Sequence, residues 1–122
     1  MQVKNKQIVK KIIEVFINNN QDAILNYLAD NIKWNIVGMP QIRGKKEFIN
    51  AINSLELENF STSEIKNVIS EGEFVVVESI GQLTAQINSF HAPSYCDIYR
   101  IKYGKVCELT TYIIDTASNN EN

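Results

Sequence analysis

The hydrophobic period of this chain changes between residues 55 and 62, and that change limits the folds open to it. Before it, apolar residues recur mostly at helical spacing; after it, they alternate. Ile8, Ile12, Val15 and Phe16 share one helical face, with Lys10, Lys11 and Glu14 on the other. Asn18-Asn19-Asn20 ends this helix, because Asn tolerates left-handed and capping conformations. Gln21 to Leu28 reads as a second short helix, with Ile24, Leu25 and Leu28 inward. Ile32, Trp34 and Ile36 then alternate with Lys33 and Asn35, a strand signature stopped by Gly38-Met39-Pro40. Gly44 opens a third helix, Lys45 to Leu55, with Phe48, Ile49, Ile52 and Leu55 on one face.

From residue 62 the pattern is that of strands. Ile65, Val68 and Ile69 mark one strand, broken at Glu71-Gly72, and Phe74 to Leu83 is a long β-branched one. The chain turns around Asn88, and Ser94 to Lys102 with Lys105 to Asp115 form a closing hairpin. Gly104 suits the left-handed position of a three-residue loop, a register that sets Ile101 opposite Lys105 and Asp97 opposite Leu109. Helices followed by a run of strands argue an α+β fold, with the helices covering one concave face of an antiparallel sheet. The length predicts a single domain over 1–115, with 116–122 a polar tail.

Composition narrows function by exclusion. A net charge of −2 supplies no general attraction for nucleic acid or an anionic membrane. No apolar run approaches the roughly 18 residues that span a bilayer. Met1 to Lys11 lacks the continuous apolar stretch of a signal peptide, so the expected location is cytoplasmic. Cys96 and Cys107 lack CxxC spacing and cannot complete a zinc set with the lone His91. There is no Gly-rich phosphate loop, and no metal, nucleotide, flavin or nicotinamide cofactor is expected.

Alternation sorts the closing hairpin into two faces. Tyr95, Asp97, Tyr99, Ile101, Cys107, Leu109, Thr111 and Ile113 form the more apolar face, which is assigned to the interior. Cys96, Ile98, Arg100, Lys102, Val106, Glu108, Thr110, Tyr112 and Ile114 form the other. That second face is too apolar for a fully wetted sheet, so Ile98, Val106, Tyr112 and Ile114 are expected to form a homodimer interface. The two cysteines fall on opposite faces and should not bond.

Asp97 is then the central candidate. A carboxylate among Tyr95, Tyr99, Leu109 and Trp34 is desolvated, which raises its pKa. When neutral it donates a hydrogen bond, and when ionised it acts as a base; the competing reading is a structural Asp satisfied by protein groups. His91 either rims a pocket mouth or lies in an exposed loop. Glu78 either faces inward with Phe74 and Val76, making an acid/base pair with Asp97, or has the opposite parity. Trp34, Ile36, Met39, Tyr95, Tyr99, Leu109 and Thr111 read as ligand-binding lining, with plain core packing as the alternative.

Leu28-Ala29-Asp30-Asn31 running into Trp34-Asn35-Ile36-Val37-Gly38-Met39-Pro40, then Arg43-Gly44 before a helix, resembles the NTF2-like superfamily. The closing Asp97-Ile98-Tyr99-Arg100 and Gly104-Lys105-Val106-Cys107-Glu108-Leu109 resemble its last hairpin. The likeness covers roughly residues 5–115 and is strongest to the SnoaL-like branch of polyketide cyclases and ketosteroid isomerase-like proteins. It implies a cone-shaped α+β fold: a strongly curved mixed or antiparallel sheet packed on three helices of the N-terminal half around a central pocket. A homodimer is also implied, but no single function.

The resemblance also separates activities. Ketosteroid isomerases use an aspartate base where this chain has Ile36, a tyrosine where it has Glu14, and an aspartic acid matched by Asp97. Limonene epoxide hydrolases need an asparagine at the position of Ile36; Asn35 lies one residue away, on the opposite face. Both motifs are incomplete. SnoaL-type cyclases use a pocket aspartate, sometimes with a histidine, roles that Asp97 and His91 match in kind. Three functions remain open: a domain binding a small, largely apolar molecule, an isomerase- or cyclase-type enzyme using Asp97 as acid/base, and a non-catalytic partner-binding accessory domain.

Overall fold

The computed structural model describes residues 2–18, 20–54, 63–81 and 94–114. Helix α1 (Gln2–Ile17) is followed by α2 (Gln21–Ile24), a 3-10 turn (Leu25–Tyr27), strand β1 (Leu28–Ile36), the short β2 (Ile42–Arg43) and helix α3 (Gly44–Ser54). Strands β3 (Ser63–Glu71), β4 (Phe74–Gly81), β5 (Ser94–Lys102) and β6 (Lys105–Ile114) complete the order. The fold is α+β, as the change of period predicts. Leu55, Leu83, the turn at Asn88, His91 and the tail 116–122 lie outside the described residues. Among the described residues no helix is long and apolar enough to cross a membrane.

The six strands form one curved sheet in the order β2-β1-β6-β5-β4-β3. All neighbours are antiparallel except β1 and β6, which run parallel. That parallel pair joins the N-terminal half to the last strand and has no signature in local spacing. β2 is equally silent in the sequence, since two residues cannot display a period.

One sheet face carries the core. Leu28, Ile32, Trp34 and Ile36 of β1, Val75 and Val77 of β4, Tyr99 and Ile101 of β5, and Val106 and Leu109 of β6 are buried. Helix α1 lies over β3 and β4, where its Val9 and Ile12 are fully enclosed. Helix α3 lies over β1 and β2, bringing Phe48 and Ile52 into the same cluster. The Phe48 ring stands 4.7 Å from that of Trp34, a tilted contact that fixes α3 on the sheet. Gly44, at φ +85°, reverses the chain between β2 and α3, and Glu47 accepts the Arg43 N–H at 2.9 Å.

The closing hairpin differs from the expected three-residue loop. Lys102 pairs with Lys105 across a two-residue turn, and both central residues, Tyr103 (φ 54°) and Gly104 (φ 77°), take the left-handed conformation. This sets Ile101 opposite Val106. A bulge then inserts Cys107, so that Arg100 faces Glu108 and Asp97 faces Thr111 rather than Leu109. The turn shifts the register by one residue and the bulge by one more, which restores parity for Leu109 and Thr111. Between them, Val106 is turned inward, where it is fully buried. Val106 therefore belongs to the core and not to the outer, interface-like face. Cys107 leaves the inner face, with its Sγ 3.5 Å from the Arg100 carbonyl oxygen. Both cysteines are free thiols.

Candidate functional site

The inner face is a lattice of cross-strand rows. One row runs Val77, Asp97, Thr111, Ile36 across β4, β5, β6 and β1. The next runs Val75, Tyr99, Leu109, Trp34. On the other side of Asp97 lies a row of Ser79, Tyr95 and Ile113. The sheet alone thus brings Trp34, Ile36, Tyr95, Asp97, Tyr99, Leu109 and Thr111 together, each from the position that alternation assigns it.

Polar groups within this lattice are joined in sequence. The Trp34 indole N–H donates to Thr111 Oγ1 at 2.9 Å. The Thr111 hydroxyl in turn donates to Asp97 Oδ1 at 2.7 Å. An ionised carboxylate can only accept, so the hydroxyl's one proton goes to Asp97 while a lone pair takes the indole N–H. Thr111 is buried and Asp97 is partly buried.

Desolvation dominates the electrostatics. It pushes the Asp97 carboxyl from 3.8 up to about 6, against the lowering effect of the Thr111 hydrogen bond. Burial and then the neighbouring Asp97 charge push the Tyr95 hydroxyl up to about 12 and that of Tyr99 well above its usual range. Both phenols therefore remain protonated donors at neutral pH. On the other face, burial raises the Cys96 thiol, with smaller contributions from Asp97 and Glu78, which disfavours the nucleophilic thiolate.

Several candidates do not join this group. Glu78 points to the outer face, where it pairs with Cys96 and accepts from Asn67 Nδ2 at 2.7 Å. The inward residues of β4 are Val75, Val77 and Ser79. Val75-Val76-Val77 has no polar contrast along it, so its parity is set by packing against α1. Ser79, a buried hydroxyl beside Tyr95, was hidden by the same ambiguity. Met39 lies in the turn after β1 and is half exposed, with its N–H bonded to the Ile36 carbonyl. His91 falls outside the described residues. Ile113 keeps inner-face parity but is 52% exposed near the end of β6. Asn35 faces outward and donates to Glu108 Oε2 at 3.0 Å, so it cannot serve the inner face.

Residues 9–109 match the SnoaL-like domain family, and the chain belongs to that family. An NTF2-like protein of unknown function from Cytophaga hutchinsonii ATCC 33406 is 26% identical, with a TM-score of 0.75 over 89% of this chain and 98% of its own. A second NTF2-like protein of unknown function, from Burkholderia pseudomallei K96243, is 21% identical, with a TM-score of 0.79 over 95% and 94%. A protein provisionally described as a SnoaL-like polyketide cyclase, from Jannaschia sp. CCS1, has a TM-score of 0.80 at 15% identity, over 93% and 87%. At that identity the likeness is one of fold. No curated protein matches the chain.

Proposed function

We propose that this domain binds a small, largely apolar molecule against the inner face of its sheet, with Asp97 as the polar anchor. The relay from Trp34 through Thr111 to Asp97 carries this reading. The Thr111 hydroxyl favours the charged carboxylate. Here desolvation outweighs the hydroxyl, and the carboxyl lies near half-protonation at about pH 6. The surroundings (Val77, Tyr99, Leu109 and Ile36) supply apolar contact, and a carboxyl that is either acid or base suits a ligand bearing a carbonyl or hydroxyl oxygen.

An acid/base enzyme of the isomerase or cyclase kind is the second reading, favoured by the same raised carboxyl. Proton abstraction in the manner of ketosteroid isomerases is disfavoured. Its base position holds Ile36, which pairs with Thr111 on the inner face and offers only an aliphatic group.

The test is a thermal-shift screen of small apolar ketones, alcohols and lactones against the native chain and Asp97→Asn. Compounds that stabilise the native chain and lose this effect in the variant support the anchor. A screen in which no compound distinguishes the two proteins removes it. Hits are then followed for turnover: binding retained but conversion lost in Asp97→Asn marks an enzyme, and no conversion by the native chain marks a binding domain.

We also propose that the outer face pairs two copies of the chain. Ile69, Val76 and Ile98 form one cross-strand row there, with Tyr112 (43% exposed) beside it on β6. A row of aliphatic side chains on an otherwise open sheet face gains free energy when covered.

A further inference from the structure

The outer face carries a second feature, at the hairpin end of the sheet and away from Asp97. An open groove of about 410 Å³ lies between β1 and the β5–β6 hairpin. Its lining includes four cations, Lys33, Arg100, Lys102 and Lys105, against one carboxylate, Glu108. This concentration of positive charge occurs in a chain whose net charge is −2.

The internal bonding leaves much of that charge unspent. Glu108 sits between Lys33 and Arg100 in one cross-strand row and already accepts from Asn35. Arg100 is engaged outside the groove: its Nε bonds Glu73 Oε1 at 3.0 Å, and its guanidinium lies over the Phe74 ring. Lys105 donates to the Asn26 carbonyl at 2.6 Å, a neutral partner. Lys33 and Lys102 have no ion-pair partner among the described residues. Lys102 and Lys105 are also direct cross-strand partners, a like-charge pairing that destabilises a hairpin unless something neutralises it.

We propose that this groove binds a small phosphorylated molecule, with Lys33, Lys102 and Lys105 around the phosphate. Charge complementarity selects an anion. Charge density favours phosphate over carboxylate: a phosphate group carries about −1.5 to −2 where a carboxylate carries −1, and ammonium groups act as point charges, while the Arg100 guanidinium is already held by Glu73. The volume exceeds that of a bare phosphate, which leaves room for an organic part beside it. Tyr103, fully exposed at the rim, offers a ring face to the organic part. This site shares no side chain with the inner-face lattice, so either proposal can fail without the other.

The experiment is an amide chemical-shift titration of the full chain at low ionic strength, with inorganic pyrophosphate in one arm and glucose 6-phosphate in the other. Saturable shifts confined to β1 and the hairpin in either arm support the site, and the tighter arm identifies the source of the phosphate. Lys33→Gln/Lys102→Gln is expected to weaken binding by about tenfold or more, because each substitution removes a charge-assisted contact. Lys66→Gln, an exposed change on β3, should bind like the native chain. The proposal is overturned if neither compound binds, if both variants lose affinity equally, or if polyglutamate binds the groove and the phosphates do not.

Discussion

Thr111 on β6 holds Asp97 on β5 through a hydroxyl hydrogen bond of 2.7 Å, directly across the strand pair. The contact depends on the register of the hairpin, since the residue opposite Asp97 would be Leu109 under the three-residue loop that Gly104 suggests. The bulge at Cys107 is therefore part of what gives the carboxyl its Thr111 hydroxyl donor. Four consequences can be measured.

Asp97 should make stability depend on pH in an unusual direction. Its folded-state pKa is raised from 3.8 to about 6, so the folded protein binds this proton more tightly than the unfolded chain. The contribution is fully present below the unfolded value and is lost as pH rises through the folded one. Asp97→Asn removes the dependence while keeping an oxygen acceptor for Thr111. The variant should exceed the native chain by on the order of 1–3 kcal/mol at about pH 8, and the gap should close near pH 4. Urea unfolding of both proteins at the two pH values measures it.

Thr111→Val keeps the shape of the side chain and removes the centre of the relay. The Trp34 indole N–H and the Asp97 carboxylate both lose a partner, at about 1–3 kcal/mol for each buried group left unmatched. The Asp97 carboxyl should also titrate higher, because the hydrogen bond that lowers it is gone. Carbon-detected titration of the carboxyl resonances reads this directly. Thr111→Ser should behave nearly as the native chain; an equal loss in both variants would mean that packing, not the hydroxyl, matters.

The hairpin turn can be improved. Tyr103 holds φ at 54° although it is not glycine, and it is fully exposed, so its replacement forfeits no packing. Asn-Gly is the preferred pair where both central residues are left-handed. Tyr103→Asn should stabilise the chain by about 0.5–1 kcal/mol, a rise of a few degrees in Tm. Thermal unfolding by circular dichroism is sufficient to see it.

Ile98 and Val106 should separate association from core packing. Ile98→Lys places a charge in the outer row and should convert a dimer to a monomer in sedimentation equilibrium, with little change in unfolding of the monomer. Val106→Ala opens a void in the core and should cost about 1–3 kcal/mol without changing the mass. A native chain that sediments as a monomer at tens of micromolar (about the concentration at which weak dimers form, a binding free energy near −6 to −7 kcal/mol) would end the dimer proposal.

What the amino-acid order determined by itself is local. The spacing of Ile8, Ile12 and Phe16, and of Phe48 and Ile52, is enough for two helices, and the alternation from Ser94 to Lys102 places β5 residue for residue. The inward position of Asp97 follows from the same two-residue period, which is a property of an extended backbone. Tertiary structure decided what lies across from each residue. Trp34 meets Thr111 only because β1 and β6 pair in parallel, and no local spacing encodes a partner that far along the chain. Val106 is buried and Cys107 displaced because a bulge corrects a turn, and Glu78 faces outward because a valine run gave packing the choice of face. The cationic groove arises likewise, when β1 and the hairpin bring Lys33, Arg100 and Lys102 to line one groove. Periods follow from backbone geometry, whereas register follows from which apolar side chains find one another in the folded chain.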